Sequence, residues 1–488
     1  MSVSKAKADE APALVLFRTD RRVADNRALL AASESGAPVA AAFVLDEESP
    51  GLRATGGAKR WWLHHSLKAL AGRLQQLGVE LTMRRGPMAE VVRGLLRETG
   101  AEKVYWNRRY HPVEHGIDRD LKTDLQARGI EVADFGGFLL HEPDSLRTKA
   151  GGPFKIYAPF VRALFSGREA WEPVAPPKRL RPWGGRLRSD RLEDWGLLPT
   201  KPNWAGRFSE VWTPGEAAGL ERLAAFVRDG VGRYAQARDL SGQNNSSKLS
   251  AHLAHGEITP AQVLRAVAEA DGVGAEGKEK FRRELAWRDF CHHLLFHNPD
   301  LATKPFNPLF ERFPYRGDPE ELRAWRRGQT GYPIVDAAMR ELWTFGAMPN
   351  RLRLIAGSFL VKHLLTDWRE GEAWFWDTLV DADPANNAYN WQWIAGSGPD
   401  PAPYFRIFNP ITQGQKFDPE GDHIRRHVPE LARLRGESIH TPWEATQAEL
   451  RAAGVELGVT YPWPIVDHGQ ARERALAAFR LARGREQG

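Results

Sequence analysis

The chain has 488 residues, of which 42% are hydrophobic and 27% charged, and its formal net charge is +6. This length and composition are typical of a soluble protein with two domains. The longest apolar stretches are too short to cross a bilayer, and the segment up to Pro12 lacks the apolar core of a secretion signal. We therefore expect a cytoplasmic protein.

The one cysteine, Cys291, excludes an intrachain disulfide and any four-cysteine metal or iron–sulfur site. His292, His293 and His297 lie close to it in sequence. Adjacent residues of a helix point in different directions, so we interpret this segment as a packed helix and expect no metal. The basic charge permits a polyanionic partner, and 18 tryptophans favour a role in stacking or electron transfer.

Short apolar runs alternate with amphipathic helices in the first part of the chain, which predicts a parallel sheet of the Rossmann-like α/β class. The predicted strands are 14–17, 39–45, 80–83, 103–106 and 131–135. The helices between them include 58–76 and 88–98. No G-x-G-x-x-G follows the first strand, so the usual dinucleotide fingerprint is absent.

The second part of the chain is predicted to be almost entirely helical. A stretch rich in Pro, Gly, Arg and Trp, residues 141–206, separates it from the sheet and indicates an interdomain connector. We therefore predict an α/β domain over 12–140 and an all-helical domain over 207–488. The predicted helices are 217–234, 247–255, 260–270, 278–296, 322–327, 332–345, 350–368 and 370–379.

Four segments of the helical half resemble the photolyase/cryptochrome family: 331–340 (GYPIVDAAMR), 367–372 (DWREGE), 391–393 (WQW) and 404–410 (YFRIFNP). Near the start, residues 17–29 are similar to the family's first strand and turn, with Arg21 where leucine is common. The resemblance spans nearly the whole chain and is greatest to bacterial cyclobutane pyrimidine dimer photolyases. It implies light-dependent repair of these dimers by electron transfer from reduced FAD, with damaged DNA as the partner and a monomer as the acting form.

The resemblance also implies a set of FAD contacts. The segment 246–250 follows a loop over 239–245 and opens a helix, where backbone N–H groups and hydroxyls suit a pyrophosphate; alone it would be an ordinary serine N-cap. Arg353 is expected to pair with Asp381 beside the flavin ring, where its charge would stabilise a reduced, anionic flavin, and Asn387 is expected to face flavin N5. The sequence predicts a polar loop that carries Asp381, Asp383 and Asn387. The full set of expected FAD contacts is Tyr234, Ser246, Ser247, Lys248, Leu249, Ser250, Arg353, Asp381, Asp383 and Asn387.

The expected lesion pocket combines two helices. Glu284, Trp287 and Arg288 are spaced i, i+3, i+4, so they share one helix face. By resemblance, Trp287 and Trp393 flank a flipped-out dimer, Glu284 hydrogen-bonds the pyrimidine, and Asn350 contributes to catalysis. The expected DNA contacts are Arg238, Glu284, Trp287, Arg288, Asn350, Arg351 and Gln413.

Trp391 and Trp368 match the first two members of the family's tryptophan chain, and Tyr315 occupies the third position, although another surface tryptophan could replace it. A second, antenna chromophore is expected at the α/β domain or its junction with the helices. Glu114 matches a folate contact, but Val113 replaces the accompanying asparagine, so folate, a deazaflavin or another flavin all remain open.

Two related functions compete with dimer repair. A six-four photolyase carries histidines at the positions of Asn350 and Leu354, and this chain has no histidine at either position. A cryptochrome photoreceptor often has tyrosine at the place of Trp393, and the plant type tends to have aspartate at that of Asn387. Pro349 and Leu354 depart from the residues common in cyclobutane-specific enzymes, and both keep an apolar lining.

Overall fold

The structure, a computed structural model, describes residues 10–166, 172–243, 246–400 and 405–484. Most of the amino-terminal segment up to Pro12, the loop residue Asn245 and the motif residue Tyr404 lie outside this part of the chain. None of the helices in the described ranges combines the length and apolar character that a bilayer crossing needs.

The first domain is built on a five-stranded parallel sheet of order β3-β2-β1-β4-β5. The two central strands are fully buried, as expected for a parallel sheet covered by helices on both faces. All five predicted strands are confirmed within two residues at each end. The strands are β1 Ala13–Phe17, β2 Val39–Leu45, β3 Leu81–Arg85, β4 Lys103–Asn107 and β5 Glu131–Phe135.

Four helices complete this domain: α1 Arg27–Glu34, α2 Gly57–Gln76, α3 Met88–Thr99 and α4 Pro112–Ala127.

The segment after β5 contains α5 Tyr157–Phe165, which packs in the same hydrophobic cluster as the helical half. It then returns to the sheet, where the Val39 N–H donates to the Arg181 carbonyl at 2.7 Å and the Trp183 N–H to the Val39 carbonyl at 3.2 Å. The connector therefore runs across the surface of both parts.

The rest of the described chain is helical. Its helices are α6 Glu216–Ala225, α7 Tyr234–Ala237, α8 Ser250–Ala254, α9 Pro260–Ala268, α10 Ala275–His297, α11 Pro319–Arg327, α12 Pro333–Phe345, α13 Asn350–Ser358, α14 Trp368–Thr378, α15 Pro384–Ala395, α16 Pro410–Phe417, α17 Asp422–His427, α18 Gln447–Ala453 and α19 His468–Gly484. The fold class, an α/β sheet domain followed by a helical one, is confirmed.

Three of the predicted elements in this half are wrong. The polar loop proposed for Asn387 is helix α15, because Asp383 caps its first turn by accepting from the N–H groups of Ala385 and Asn386, and Pro384 fits the first helical position. The single helix predicted over 350–368 is interrupted, since Leu365 adopts a positive φ of 50°. The helix predicted over 217–234 changes its hydrogen-bond pattern after Ala225.

Arg21, the departure from leucine near the start, lies at the junction of the two domains. Its side chain is 6% exposed. It donates to Ser66 Oγ at 3.1 Å and lies 2.5 Å from Nδ1 of His255 in the helical half. Next to it, Gly256 has a φ of +61°, and a Cβ there would lie 1.9 Å from the Thr19 carbonyl oxygen. Only glycine permits this close contact between the domains.

Candidate active site

A cavity of about 500 Å³ opens in the helical half, between α10, α13, the start of α15 and the segment 246–250. Its volume lies in the range of ordinary ligand sites. Most of the residues predicted from the sequence line it together. They are Tyr234, Arg238, Ser246, Ser247, Lys248, Leu249, Ser250, Glu284, Trp287, Arg288, Asn350, Arg353, Asp381, Asp383 and Trp393.

One wall of the cavity is formed by α10, where the helical spacing places Glu284, Trp287 and Arg288 on the same side as predicted. The Trp287 indole stacks on the Tyr157 ring, with 3.5 Å between centroids and 5° between planes. Tyr157 in turn donates from its hydroxyl to the Arg283 carbonyl at 2.7 Å. Trp393 packs against the same hydrophobic cluster as Trp287. The two indoles therefore lie at one cavity, and Trp287 is held in a fixed orientation.

The segment 246–250 supplies hydroxyls and backbone groups to one end of the cavity. Burial lowers the pKa of the Lys248 ammonium, and the charge of Arg222 lowers it further. A smaller cavity of about 240 Å³ adjoins the same segment and is lined by Arg222 and Arg233 as well as Lys248. Hydroxyls beside several cations suit an anionic group such as a diphosphate.

Arg353 and Asp381, which line the same cavity, form the predicted pair, with Nη2 2.9 Å and 3.0 Å from the two carboxylate oxygens. Arg353 also donates to the Met348 carbonyl at 2.7 Å, so its guanidinium is fixed. Burial alone would raise the pKa of Asp383, but His292, 2.9 Å away, holds that pKa below its ordinary value. The site thus combines a fixed cation with a permanently ionised carboxylate.

Asn387 differs from the expectation in its contacts. It is absent from the cavity lining, while Asn386 and Asn390 are present in it. The Asn387 Nδ2 donates to the carbonyl oxygen of Glu372 at 3.0 Å and to its Oε1 at 2.8 Å. Both amide protons are therefore used, and Oδ1 is the group with which Asn387 can meet a ligand.

The predicted DNA contacts divide into two groups. Arg238 lines the cavity and is bound to Glu284, whereas Arg351 does not line it and donates to Asp239 at 2.7 Å. Gln413 lies on α16, partly exposed. Arg288 is 9% exposed and donates to the Phe138 carbonyl at 2.9 Å. Its burial favours a contact inside the cavity over one with a DNA phosphate.

The predicted electron path starts in the core. Trp391 and Trp368 are each 1% exposed, and Gly371 leaves room for the Trp391 indole, which a Cβ would approach to 2.1 Å. Tyr315 is partly buried, and its hydroxyl has no hydrogen-bond partner within the described ranges. Burial, together with the charge of Asp367, raises the pKa of Tyr315.

A row of three stacked indoles lies apart from this path. Trp343, which is 47% exposed, stacks on Trp374 at 5.8 Å and on Trp204 at 5.9 Å. Trp343 is a surface tryptophan of the kind expected as the alternative to Tyr315 in the role of terminal electron donor.

Several cavity residues were missed by the sequence analysis. Tyr389 lines the cavity with a buried hydroxyl that has no hydrogen-bond partner in the part of the chain that the structure describes, and Cys291 and Glu341 also line it. Tyr389, Asn386 and Asn390 follow from helical spacing once α15 is recognised, and the N-cap signal of Asp383 and Pro384 could have revealed that helix. His292, His293 and His297 contact Asp383, Phe154 and Pro143 separately, which agrees with the packed-helix interpretation.

The cavity fits FAD in three respects. Hydroxyls and cations of the segment 246–250 line it, the fixed Arg353–Asp381 pair lines it too, and the Tyr389 hydroxyl, which has no hydrogen-bond partner among the described residues, lies in the wall among aromatic and aliphatic side chains. The first feature suits the diphosphate of FAD. The second suits the polar edge of its ring system, and the third suits the apolar faces of that ring system.

The fold and the site define a flavoprotein with an α/β domain and a helical cofactor domain whose cavity has a cationic rim. Residues 13–178 match the DNA photolyase family and residues 281–481 match the FAD binding domain of DNA photolyase. The chain belongs to the DNA photolyase family: it is an enzyme of the deoxyribodipyrimidine photo-lyase type that binds FAD and acts in repair on damaged DNA.

Two relatives and one solved structure place it within the family. The deoxyribodipyrimidine photo-lyase of Agrobacterium fabrum is 52% identical over 96% of this chain and 98% of its own. The crystal structure of a bacterial class III photolyase from Agrobacterium tumefaciens has a TM-score of 0.95 at 50% identity, covering 99% of this chain and 100% of its own. Cryptochrome-1 of Arabidopsis thaliana is 37% identical over 96% of this chain and 70% of its own.

Proposed function

We propose that this photolyase repairs cyclobutane pyrimidine dimers, which it binds flipped out of the duplex against the cavity. The observation that carries the proposal is that Trp287, Trp393 and Glu284 line the same cavity as the expected FAD contacts. Two indoles provide the apolar, stacking surface that an extruded base pair requires. A cyclobutane dimer stacks and pairs poorly, so the cost of extrusion is lowest at the lesion itself.

Reduced FAD, when bound and excited by light, supplies the electron that opens the dimer. The chain's own residues orient the reactants. Arg353, fixed by Asp381 and the Met348 carbonyl, provides a positive charge at the flavin end of the cavity. Asn387 does not itself line the cavity, but Glu372 holds its amide N–H groups, and we assign the remaining acceptor, Oδ1, to flavin N5. This orientation favours a flavin that carries a proton at that atom.

Glu284 is the group assigned to the pyrimidine edge. Arg238 binds its Oε1, and we assign Oε2 to the lesion. The Arg238 contact keeps the Glu284 carboxylate in position and offsets its negative charge. Without this partner, the carboxylate would repel the negative charge that the dimer acquires with the electron. Asn350 shares the wall with Leu354. Six-four photolyases carry histidines at both positions, so this pair favours the cyclobutane lesion.

The DNA backbone is assigned to the cavity rim. Arg238, Arg351 and Gln413 are the proposed contacts, and the two arginines would exchange their Asp239 partner for phosphate oxygens. Such contacts make affinity fall with salt without reading sequence. We propose that the monomer is the acting form.

We place the antenna chromophore at the junction between the domains. Arg53 and Lys59 lie over the Trp376 ring, 4.3 Å and 4.7 Å from its centre. Burial lowers the pKa of Lys59 to about 8, although the carboxylates of Asp383 and Glu114 oppose this shift. An aromatic face with two cations suits a flat, anionic chromophore such as folate, a deazaflavin or a flavin. Extraction of the chromophore from the wild type and from Trp376→Ala tests this placement.

Electrons are proposed to reach the flavin through Trp391 and Trp368, with Tyr315 as the terminal donor. Burial raises the pKa of Tyr315, so its hydroxyl is protonated before oxidation, and its proton has to be released to solvent when the electron leaves. Trp343, at the exposed end of the indole row, is the alternative donor.

The decisive experiment compares light with darkness on defined lesions. Purified holoenzyme is incubated with duplexes that carry one cyclobutane dimer or one six-four product, and intact DNA is measured after blue light or darkness. We expect the cyclobutane dimer alone to be repaired, and only in the light. Equal repair in the dark, repair of the six-four product alone, or light-driven binding without repair would each reject the proposal, the last in favour of a cryptochrome-type photoreceptor.

A further inference from the structure

Three residues outside the assigned cofactor and DNA contacts form a compact cluster of metal-ligating groups. One atom each from Glu341, His423 and His427 lies within 4.8 Å of the other two. Glu341 projects from α12, and His423 and His427 lie one turn apart on α17, which packs against α12. The two imidazole rings are 4.6 Å apart between centroids. The i, i+4 spacing places both on one helix face towards the carboxylate.

Two atoms of this cluster lack partners although they are buried. His423 Nε2 and Glu341 Oε2 have no hydrogen-bond partner in the described part of the chain. They face one another at 3.8 Å, which is too long for a hydrogen bond. The His423 side chain is 1% exposed. Buried polar atoms are normally paired, so two unpaired ones that face each other indicate that something belongs between them.

The spacing suits a metal ion. Nitrogen and carboxylate oxygen bind zinc at about 2.0–2.2 Å, so two ligands of one ion lie between three and four ångströms apart. A carboxylate with two imidazoles is a ligand set found in zinc sites that keep a fourth position for water or another ligand. Glu341 also lines the main cavity, so the fourth position would lie towards it.

We propose that Glu341, His423 and His427 bind one divalent transition-metal ion of the zinc class. Imidazole ligands favour Zn²⁺ and Co²⁺ over Mg²⁺, which prefers oxygen ligands. The charges of Lys248, Arg426 and Arg353 act on Glu341 and oppose a further cation. The affinity of the site for a metal ion is therefore lower than the same three ligands would give without these cations nearby. The ion would tie α17 to α12 beside the segment 246–250.

Sequence alone did not indicate this site, because Glu341 is far from the two histidines along the chain. The histidines themselves lack the motif of a known metal site. Only the packing of α17 on α12 brings the three together.

The test uses FAD-loaded protein that has been treated with a chelator and then titrated with Co²⁺, Zn²⁺ or Mg²⁺ alone. Calorimetry measures the stoichiometry, and visible absorption reports the ligand field of Co²⁺. We expect one equivalent of Co²⁺ or Zn²⁺ with a tetrahedral-type spectrum, and no competition by Mg²⁺. His427→Gln and Glu341→Gln should each weaken binding by about tenfold or more, because removing even an outer-shell partner costs that much.

Two controls make the result interpretable. His440→Gln changes another buried histidine, outside the cluster, and should leave Co²⁺ binding unchanged. His427 is only partly buried, so its variant should keep its fold and FAD content. Absence of Co²⁺ and Zn²⁺ binding by the wild type, or unchanged affinity in both His427→Gln and Glu341→Gln, would overturn the proposal. Repair activity does not enter this test.

Discussion

Replacing Trp287 by alanine removes one aromatic wall of the proposed lesion pocket. The Tyr157 stack at 3.5 Å fixes the indole, so no ordering cost is needed when a base stacks against it. Base–aromatic stacking contributes about 1–3 kcal/mol per base. This range corresponds to about a 5- to 150-fold change in an equilibrium constant. We therefore expect the preference for dimer-containing over undamaged DNA to fall by that factor, with FAD content retained.

The assay measures the affinities of two labelled duplexes that differ in a single dimer, at one fixed salt concentration, since phosphate contacts make affinity salt-dependent. Trp463→Ala is the matched control: this indole is 54% exposed and is not part of the cavity lining, so the preference should not change. An unchanged preference in Trp287→Ala, or equal losses for both duplexes, would show that the indole does not contact the lesion.

Three further predictions concern the cofactor, the electron path and acid stability. Arg353→Ala should lower FAD content severalfold, measured by flavin absorbance after purification, because its fixed charge is lost; full FAD content would contradict this. Tyr315→Phe should abolish photoreduction of the oxidised flavin while Trp343→Phe leaves it unchanged, and the opposite pattern would assign the donor to the indole row. The His293 ring accepts a hydrogen bond from the Phe154 N–H at 3.1 Å, and burial lowers the pKa of His293 to about 3. The unfolded state then binds more protons below pH 6.5, so this residue should reduce the free energy of unfolding by about 2 kcal/mol at pH 5 relative to pH 8. Urea unfolding at both pH values checks it, and an equal pH dependence in His293→Gln would contradict the assignment.

The sheet was predictable because each strand is a short apolar run bounded by turn residues. The run 39–45 gave β2 correctly at both ends, and 131–135 gave β5. Helix α15 was not predicted, because Asp383, Pro384 and the asparagines that follow are also typical of turns. In the structure, the backbone N–H groups of Ala385 and Asn386 donate to the Asp383 side chain, and this cap stabilises the first turn of the helix.

The site was predictable where helical spacing alone sets direction, as for Glu284, Trp287 and Arg288. It was not predictable where two distant segments meet. The Tyr157 stack on Trp287 and the Glu372 contact to Asn387 depend on packing between elements that are far apart in the chain. Sequence periodicity predicts which face of a helix or strand a residue occupies. It does not predict which distant element packs against that face.

The most direct test of the repair assignment is a structure of the holoenzyme bound to a duplex with one cyclobutane thymine dimer. The proposal predicts the dimer outside the helix, in contact with the indoles of Trp287 and Trp393, with Glu284 at the pyrimidine edge and the flavin beside Arg353. A dimer that stays stacked in the duplex, or one bound away from both indoles, would contradict it.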